Sequence, residues 1–254
     1  MNLFVNGELF SLDFFLNRHC EVCRSGDPRD KRTRASCWIR SEDFNLVIDS
    51  GVDFRQQALR EGLERLKAVL LTHHHADHIF GLDDVRPINY LQQADVWVYA
   101  ENTTLYHLKR IYQYVFNPPA YHADIPMIRT VEISEKPFKV GPLEVLPLPV
   151  KHGPLDIFGF RIGKFAYITD VSHIPESTME KLHGLEVLIL GALRDRYHPN
   201  HFTIADAVKA ARKIGARQTY LTHLSHEVGH RELLDRLPEG IEPAYDGLKL
   251  TIIG

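Results

Sequence analysis

The chain has 254 residues, enough for one domain with a sizeable core, and a formal net charge of −3, which argues against a basic, sequence-blind nucleic-acid binder. No apolar stretch approaches the roughly 20 residues needed to span a bilayer, and the N-terminal MNLFVNGELFSLDFFL, carrying Glu8 and Asp13, reads poorly as a signal peptide. Three cysteines, an odd number, make no disulfide framework, so a reducing cytoplasm is the expected compartment.

In chain order, the basic run Asp27 to Arg34 reads as a solvated loop. Strands are expected from Cys37 to Arg40 and from Phe44 to Ile48, closing on the turn signal Asp49-Ser50-Gly51. A helix is predicted from Phe54 to Leu66 and a short buried strand from Ala68 to Leu71. Helices from Leu82 to Gln93 and Thr103 to Phe116 flank a strand from Val96 to Tyr99. Asn117-Pro118-Pro119 stops the second of these, because proline cannot continue the hydrogen-bond ladder. From Ile128 to Ile168 the pattern is mostly strand, with turns at Gly141-Pro142, Gly153-Pro154 and Gly163-Lys164. Helix Pro175 to Leu182, strand Val187 to Leu190, helix Ile204 to Ile214 and strand Thr219 to Leu221 follow. A helix from Glu232 and a strand from Leu248 to Ile253 close the chain. With no repeat and no linker rich in Gly, Pro or Ser, residues 1–254 read as a single domain of α/β layered class.

Fifteen histidines are the compositional oddity, and four of them fall in LTHHHADHIFG, Leu71 to Gly81. In extended chain alternate residues share a face, so His73, His75 and Asp77 are expected to point one way, with His78 following where the chain turns into a helix. Three other apolar runs each end in a metal-competent side chain: His152 after Leu146 to Lys151, Asp170 after Ala166 to Thr169, and His223 after Tyr220 to Thr222. Taken singly these three are unremarkable polar residues. Together, at strand ends, they form a set of imidazoles and carboxylates suited to zinc, manganese or iron.

The H-x-H-x-D-H pattern with later His, Asp and His resembles the metallo-β-lactamase-fold hydrolases, over most of the chain from about Cys20 onward. That resemblance implies an αββα sandwich with a dinuclear site along one edge. Carried over, His73, His75 and His152 would hold one ion, Asp77, His78 and His223 the other, and Asp170 would bridge them. Finer features resemble the PhnP-type cyclic phosphate phosphodiesterases: THHHADHIFGLDDVRP, TDVSHIP, NHFTIADAV, LTHLSHE and YDGLKLTII. The resemblance implies hydrolysis of a small phosphodiester, with two divalent ions (Zn2+ or Mn2+) about 3.5–4 Å apart activating a water. Asp77 and Asp170 would orient that nucleophile, and His201 would act as general acid on the leaving group. The sequence leaves the oligomeric state open; similar proteins are commonly dimeric, so the resemblance allows a homodimer. Within the same fold a tRNA 3′-processing nuclease or a thioesterase is the alternative, although no basic, Gly/Pro-rich arm for gripping tRNA is evident. A noncatalytic metal or small-molecule binding accessory is the alternative from another class.

In the PhnP-like group a C-x-C-x-x-C segment and a histidine bind structural zinc. Here Cys20, Cys23 and His226 match, but Arg18 stands in the place of the first cysteine, and an arginine offers no lone pair. Structural zinc wants four ligands, so this site is expected to be weakened or absent, the N-terminal 1–19 to pack unlike its relatives, and Cys37 to be a buried thiol. Other residues are expected outside the metal site: His74 points the opposite way from its neighbours, and Asp49 serves as a turn or supporting residue. His198 could equally be a surface-loop histidine. No metal or catalytic role is expected for His19, His107, His122, His173, His183 or His230, and Arg86 and Tyr121 have no spacing that marks them as phosphate contacts.

Overall fold

The computed structural model describes residues 2–6 as backbone, and residues 20–118 and 124–252. Among these the strands form two seven-stranded sheets. The first contains β1 (Asn2–Asn6), β2 (Ser36–Ser41), β3 (Phe44–Ile48), β4 (Ala68–Leu70), β5 (Val96–Ala100) and β6 (Ile128–Glu132). The second runs from β7 (Phe138–Val140) at one edge through β8 (Leu143–His152), β9 (Leu155–Ile162), β10 (Phe165–Ile168), β11 (Val187–Gly191) and β12 (Gln218–Thr222) to β13 (Ile241–Pro243). The last strand, β14 (Leu248–Thr251), returns to the first sheet and pairs antiparallel with β1.

Period-two patterning explains why the sheets stack. Cys37, Ile39, Leu46, Ile48, Ala68 and Leu70 face the second sheet and meet Phe158, Phe160, Phe165, Tyr167 and Ile189 in a dry central layer. The alternate residues Trp38, Val47, Val69 and Leu71 turn outward, under helices that supply Phe54, Ile88, Leu105 and Leu108. On the far side Leu148, Ile168, Leu188 and Leu221 are covered by Met179, Ile204, Ala207 and Ala211. Three apolar layers between helix, sheet, sheet and helix are the αββα sandwich that the family resemblance implies. In its centre β4 pairs parallel with both β3 and β5 and is buried on both faces, as parallel strands usually are.

The structure departs from the expected elements where local chemistry intervenes. The helix expected to Leu66 ends at Glu61, because Gly62 adopts φ 71° and caps it. The helix expected from Leu82 begins at Val85 after one 3-10 turn, which leaves Pro87 in its first turn, where a missing N–H costs nothing. The segment expected as Thr103 to Phe116 splits at Tyr112, whose hydroxyl donates to the Ile79 carbonyl at 2.9 Å. Strand β1 is not among the sequence expectations. No helix among the described residues is long and apolar enough to cross a membrane.

Candidate metal centre

After β4 the chain bends at Thr72, is extended at His75 and then makes one helical turn, Ala76–Ile79. His73 and His75 therefore share a face, but Asp77 and His78 both lie in the helical turn. The expectation that Asp77 continues the extended alternation does not hold; the turn swings Asp77 away from His73 and His75 and toward His223. Two glycines fix this turn against the end of β3. A Cβ on Gly51 would meet the Asp77 carbonyl, and one on Gly81 would meet the Gly51 carbonyl. In their absence Ser50 N–H donates to His78 O and Gly81 N–H to Ser50 O, each at 2.8 Å.

Seven side chains converge as two groups that share one member. His73, His75, His152 and Asp170 form one; Asp77, His78, Asp170 and His223 form the other, and within each the donor atoms all lie within 4.8 Å of one another. Asp170 divides its carboxylate between them. Its Oδ1 lies 2.9 Å from His223 Nε2 and 3.3 Å from His78 Nε2, while its Oδ2 faces His73 Nε2 at 3.8 Å and His152 Nε2 at 3.9 Å.

Hydrogen bonds behind the rings set which nitrogen faces inward. His78 Nδ1–H donates to Asp49 at 2.8 Å, and His152 Nδ1–H donates to the Asn200 carbonyl at 2.8 Å. His73 Nδ1 is 3.0 Å from the Thr72 hydroxyl, which itself donates to Asp49. With Nδ1 so engaged, Nε2 is the nitrogen of each ring that faces the centre, an arrangement typical of metal-ligating histidines. His78 Nε2 and His223 Nε2 are buried without an aligned hydrogen-bond partner, although carboxylate oxygens stand nearby. Nitrogen and oxygen that approach without pairing, both aimed at one point, fit a divalent cation. Asp49, Asp170 and His223 also hold left-handed backbone, φ 62°, 50° and 61°, as the chain leaves β3, β10 and β12. Such conformations cost about 1 kcal/mol or more for residues with a Cβ and gather at functional sites.

Without cations the groups charge one another. Burial, then the neighbouring His78, hold His73 well below the ordinary imidazole range. Burial also opposes a charged His223, yet Asp170 and Asp77 raise it to about 9. His78 is likewise raised, against burial, by Asp170, Asp77 and Asp49. The carboxylates of Asp77 and Asp170, despite burial, stay below their usual range because His78 and His223 face them. In the metal-free chain, protons on His78 and His223 occupy the place a cation would take.

His201 lies beside both groups, its ring centroid 4.6 Å from His152 and 5.0 Å from His223. Burial and the neighbouring His223 lower it to about 3, so in the free site it is a neutral imidazole with one N–H to offer. His198 is 4.9 Å from His201 across a backbone bridge, closer to the site than a surface-loop histidine. His74 turns outward and stacks on His107 at 4.1 Å. Arg86 is held at the surface by Asp83 and the Asp124 carbonyl, while Tyr121, His122, His19 and Arg18 lie outside the described residues. The supporting roles of Thr72 and Asn200 are missing from the sequence reading. Their only signal is adjacency, Thr72 to His73 and Asn200 to His201.

The second candidate cluster is smaller. Cys20, Cys23 and His226 come together with donor atoms within 4.8 Å, Cys20 Sγ lying 3.2 Å from His226 Nδ1. Burial raises the Cys20 thiol, but His226 and the Cys23 N–H outweigh it and bring its pKa below the ordinary value. Cys37 is fully buried in β2, and burial pushes its thiol up.

Comparison with known proteins agrees with this geometry. A model of the β-lactamase superfamily domain matches residues 44–224. The crystal structure of a diphosphatase from the PhnP family superposes with a TM-score of 0.89 at 39% identity, covering 98% of this chain and 96% of that one. The metallo-β-lactamase-fold protein YhfI from Bacillus subtilis superposes with a TM-score of 0.74 at 19% identity, covering 98% of each chain, a likeness of fold. An octanoyltransferase of Porphyromonas gingivalis is 42% identical over 238 residues, 92% of this chain but 48% of the relative, so the chain spans about half of that protein's length.

Proposed function

The chain belongs to the β-lactamase superfamily, within its PhnP-like metallo-hydrolases, and from that premise we propose that it hydrolyses a small phosphodiester at a dinuclear metal centre. A cyclic phosphate on ribose or a nucleoside is the substrate class, cytoplasmic in setting. The observation that carries the reading is Asp170, whose two oxygens face two separate donor groups. His73, His75 and His152 would hold one divalent ion and Asp77, His78 and His223 the other. Bound there, such ions lower the pKa of water toward roughly 7 and offset charge on phosphoryl oxygens.

The remaining work falls to the chain. Asp77 and Asp170, which face His78 and His223, are the acceptors that orient an attacking water. Asp49 locks the His78 and Thr72 orientations, and Asn200 that of His152. His201, whose ring centroid lies 4.6 Å from that of His152, is the group assigned to offer its N–H to the departing oxygen. Being neutral in the free site, it begins as a hydrogen-bond donor, and the negative charge of an arriving phosphoryl group favours its protonated form.

A second reading follows from the relative described as a diphosphatase: the bond broken is a phosphoanhydride. Octanoyl transfer is named for a protein twice as long and is kept here as a control reaction. The test is a hydrolysis screen of metal-analysed protein with bis(p-nitrophenyl) phosphate, ribose and nucleoside cyclic phosphates, a nucleoside diphosphate and a thioester. Turnover of a cyclic phosphate supports the phosphodiester reading, and preference for the diphosphate supports the second. Thioester turnover with every phosphorus substrate inert would overturn both.

A further inference from the structure

Three of the side chains that follow strands into the His/Asp centre are each preceded by a buried threonine: Thr72 before His73, Thr169 before Asp170 and Thr222 before His223. A β-branched residue at a strand end is ordinary, so the spacing alone assigns nothing. The hydroxyls tell the three apart. That of Thr72 donates to Asp49, and that of Thr222 is buried without a hydrogen-bond partner among the described residues. The Thr169 hydroxyl donates to Asp170 Oδ1 at 2.6 Å, a direct grip on the side chain that the two donor groups share. Thr169 is 1% exposed, and β11 closes on the backbone here: a Cβ on Gly191 would come within 3.0 Å of the Asp170 nitrogen and 3.3 Å of the Thr169 Cα.

A carboxylate can meet two cations in two ways. It can bridge, one oxygen to each, or turn about its Cβ–Cγ bond and give both oxygens to one of them, which leaves the other a ligand short. In Asp170 the two oxygens are already unlike. Oδ1 faces His223 and His78 and receives the Thr169 hydroxyl, whereas Oδ2 faces His73 and His152. An oxygen that accepts one hydrogen bond still keeps a lone pair for a cation. We propose that Thr169 is a positioning residue whose hydroxyl holds the Asp170 carboxylate in its bridging orientation. The inference rests on the dinuclear reading and goes beyond it: Asp49 and Asn200 orient rings, each in a single donor group, while Thr169 orients the carboxylate common to both.

The test is stepwise binding of Mn2+ to metal-free protein by calorimetry, a readout independent of turnover. Mn2+ suits it because thiolates bind this ion poorly, so the cysteine cluster stays out of the titration. The parent protein is expected to take up two ions. Thr169→Val keeps the shape of the side chain and removes the hydroxyl. It should weaken one of the two steps by about 10–100-fold, as loss of a residue behind a ligand usually does, and the other by less than about threefold. Thr169→Ser, which keeps the hydroxyl, should bind both ions as the parent does, and Thr169→Ala should repeat the loss if valine disturbs folding. Two unchanged steps in Thr169→Val overturn the proposal by showing the hydroxyl idle. Two steps weakened alike, or a loss that serine does not restore, overturn it in favour of a packing role. A parent protein that takes up a single ion strikes the dinuclear reading itself, and the bridge falls with it.

Discussion

Among the described residues lie two clusters of metal-competent side chains, and they are built differently. The His/Asp cluster draws its members from the exits of β4, β8, β10 and β12, and five of its seven side chains are at most 3% exposed. Behind them Asp49, Thr72 and Asn200 fix ring orientation. The Cys20, Cys23 and His226 cluster draws two members from one short helical segment and one from a loop, all half-buried. The first is held by strand exits of both sheets; the second offers, among the described residues, three ligands where a structural zinc wants four. Preorganisation, more than ligand type, separates them.

The sharpest break of that contrast is at Asp170. Asp170→Ala is expected to lower phosphodiester hydrolysis by roughly 10³-fold or more, since both ions lose a shared ligand, and to bring metal content below two ions per chain. Normal turnover with two ions retained would remove Asp170 from the centre. His201→Ala is expected to slow esters of poor leaving groups by about 10²-fold, the low end for acid catalysis, and p-nitrophenyl esters far less. Equal losses for both would make His201 a binding or structural residue. Asp49→Ala, which touches no ion, is expected to weaken metal affinity by about 10–100-fold, the usual effect of losing a residue behind a ligand. Competition with a chelator measures it.

The raised imidazoles make a prediction in pH. His223 in the metal-free chain sits at about 9, above its unfolded value. It therefore contributes stability that is complete below about pH 6.5 and lost as pH rises through 9. Thermal melts of metal-free protein should fall over that window, and those of metal-loaded protein should not. Filling the site at pH 7 should also release about two protons, from His78 and His223, seen as a buffer-dependent binding enthalpy. A release near zero would mean that the cations do not displace those protons. The smallest effect is expected at the other cluster: zinc analysis should give about two tight ions, and Cys20→Ser should leave that number unchanged. A third tight ion lost in Cys20→Ser would show that the cysteine cluster is completed by a further ligand.

The αββα layering and the grouping of the seven His/Asp residues came from the resemblance that the H-x-H-x-D-H pattern carries; the apolar runs by themselves marked only His73, His152, Asp170 and His223, as residues at strand ends. Asp49 was legible as a supporting residue from its turn signal, but the relay through Thr72 was not, since it depends on how far β3 and β4 slide past each other. Strand β1 could not be read, because its partners β2 and β14 lie at opposite ends of the chain. The extended alternation assigned to Asp77 failed for a local reason: Gly51 and Gly81 let the backbone close into a helical turn one residue earlier.

The left-handed backbone at Asp49, Asp170 and His223 bears on how such a chain would age in evolution. At all three positions the conformation favours glycine or asparagine, and aspartate or histidine persists there only while something rewards the side chain. Were hydrolysis no longer under selection, these sites would be freed first, and each exchange would relieve backbone strain as it removed a ligand or a support. A paralogue that has given up catalysis should therefore carry Gly or Asn at these strand exits while keeping its two sheets intact. Decay of the activity would then release backbone strain at the strand exits and leave the two sheets in place.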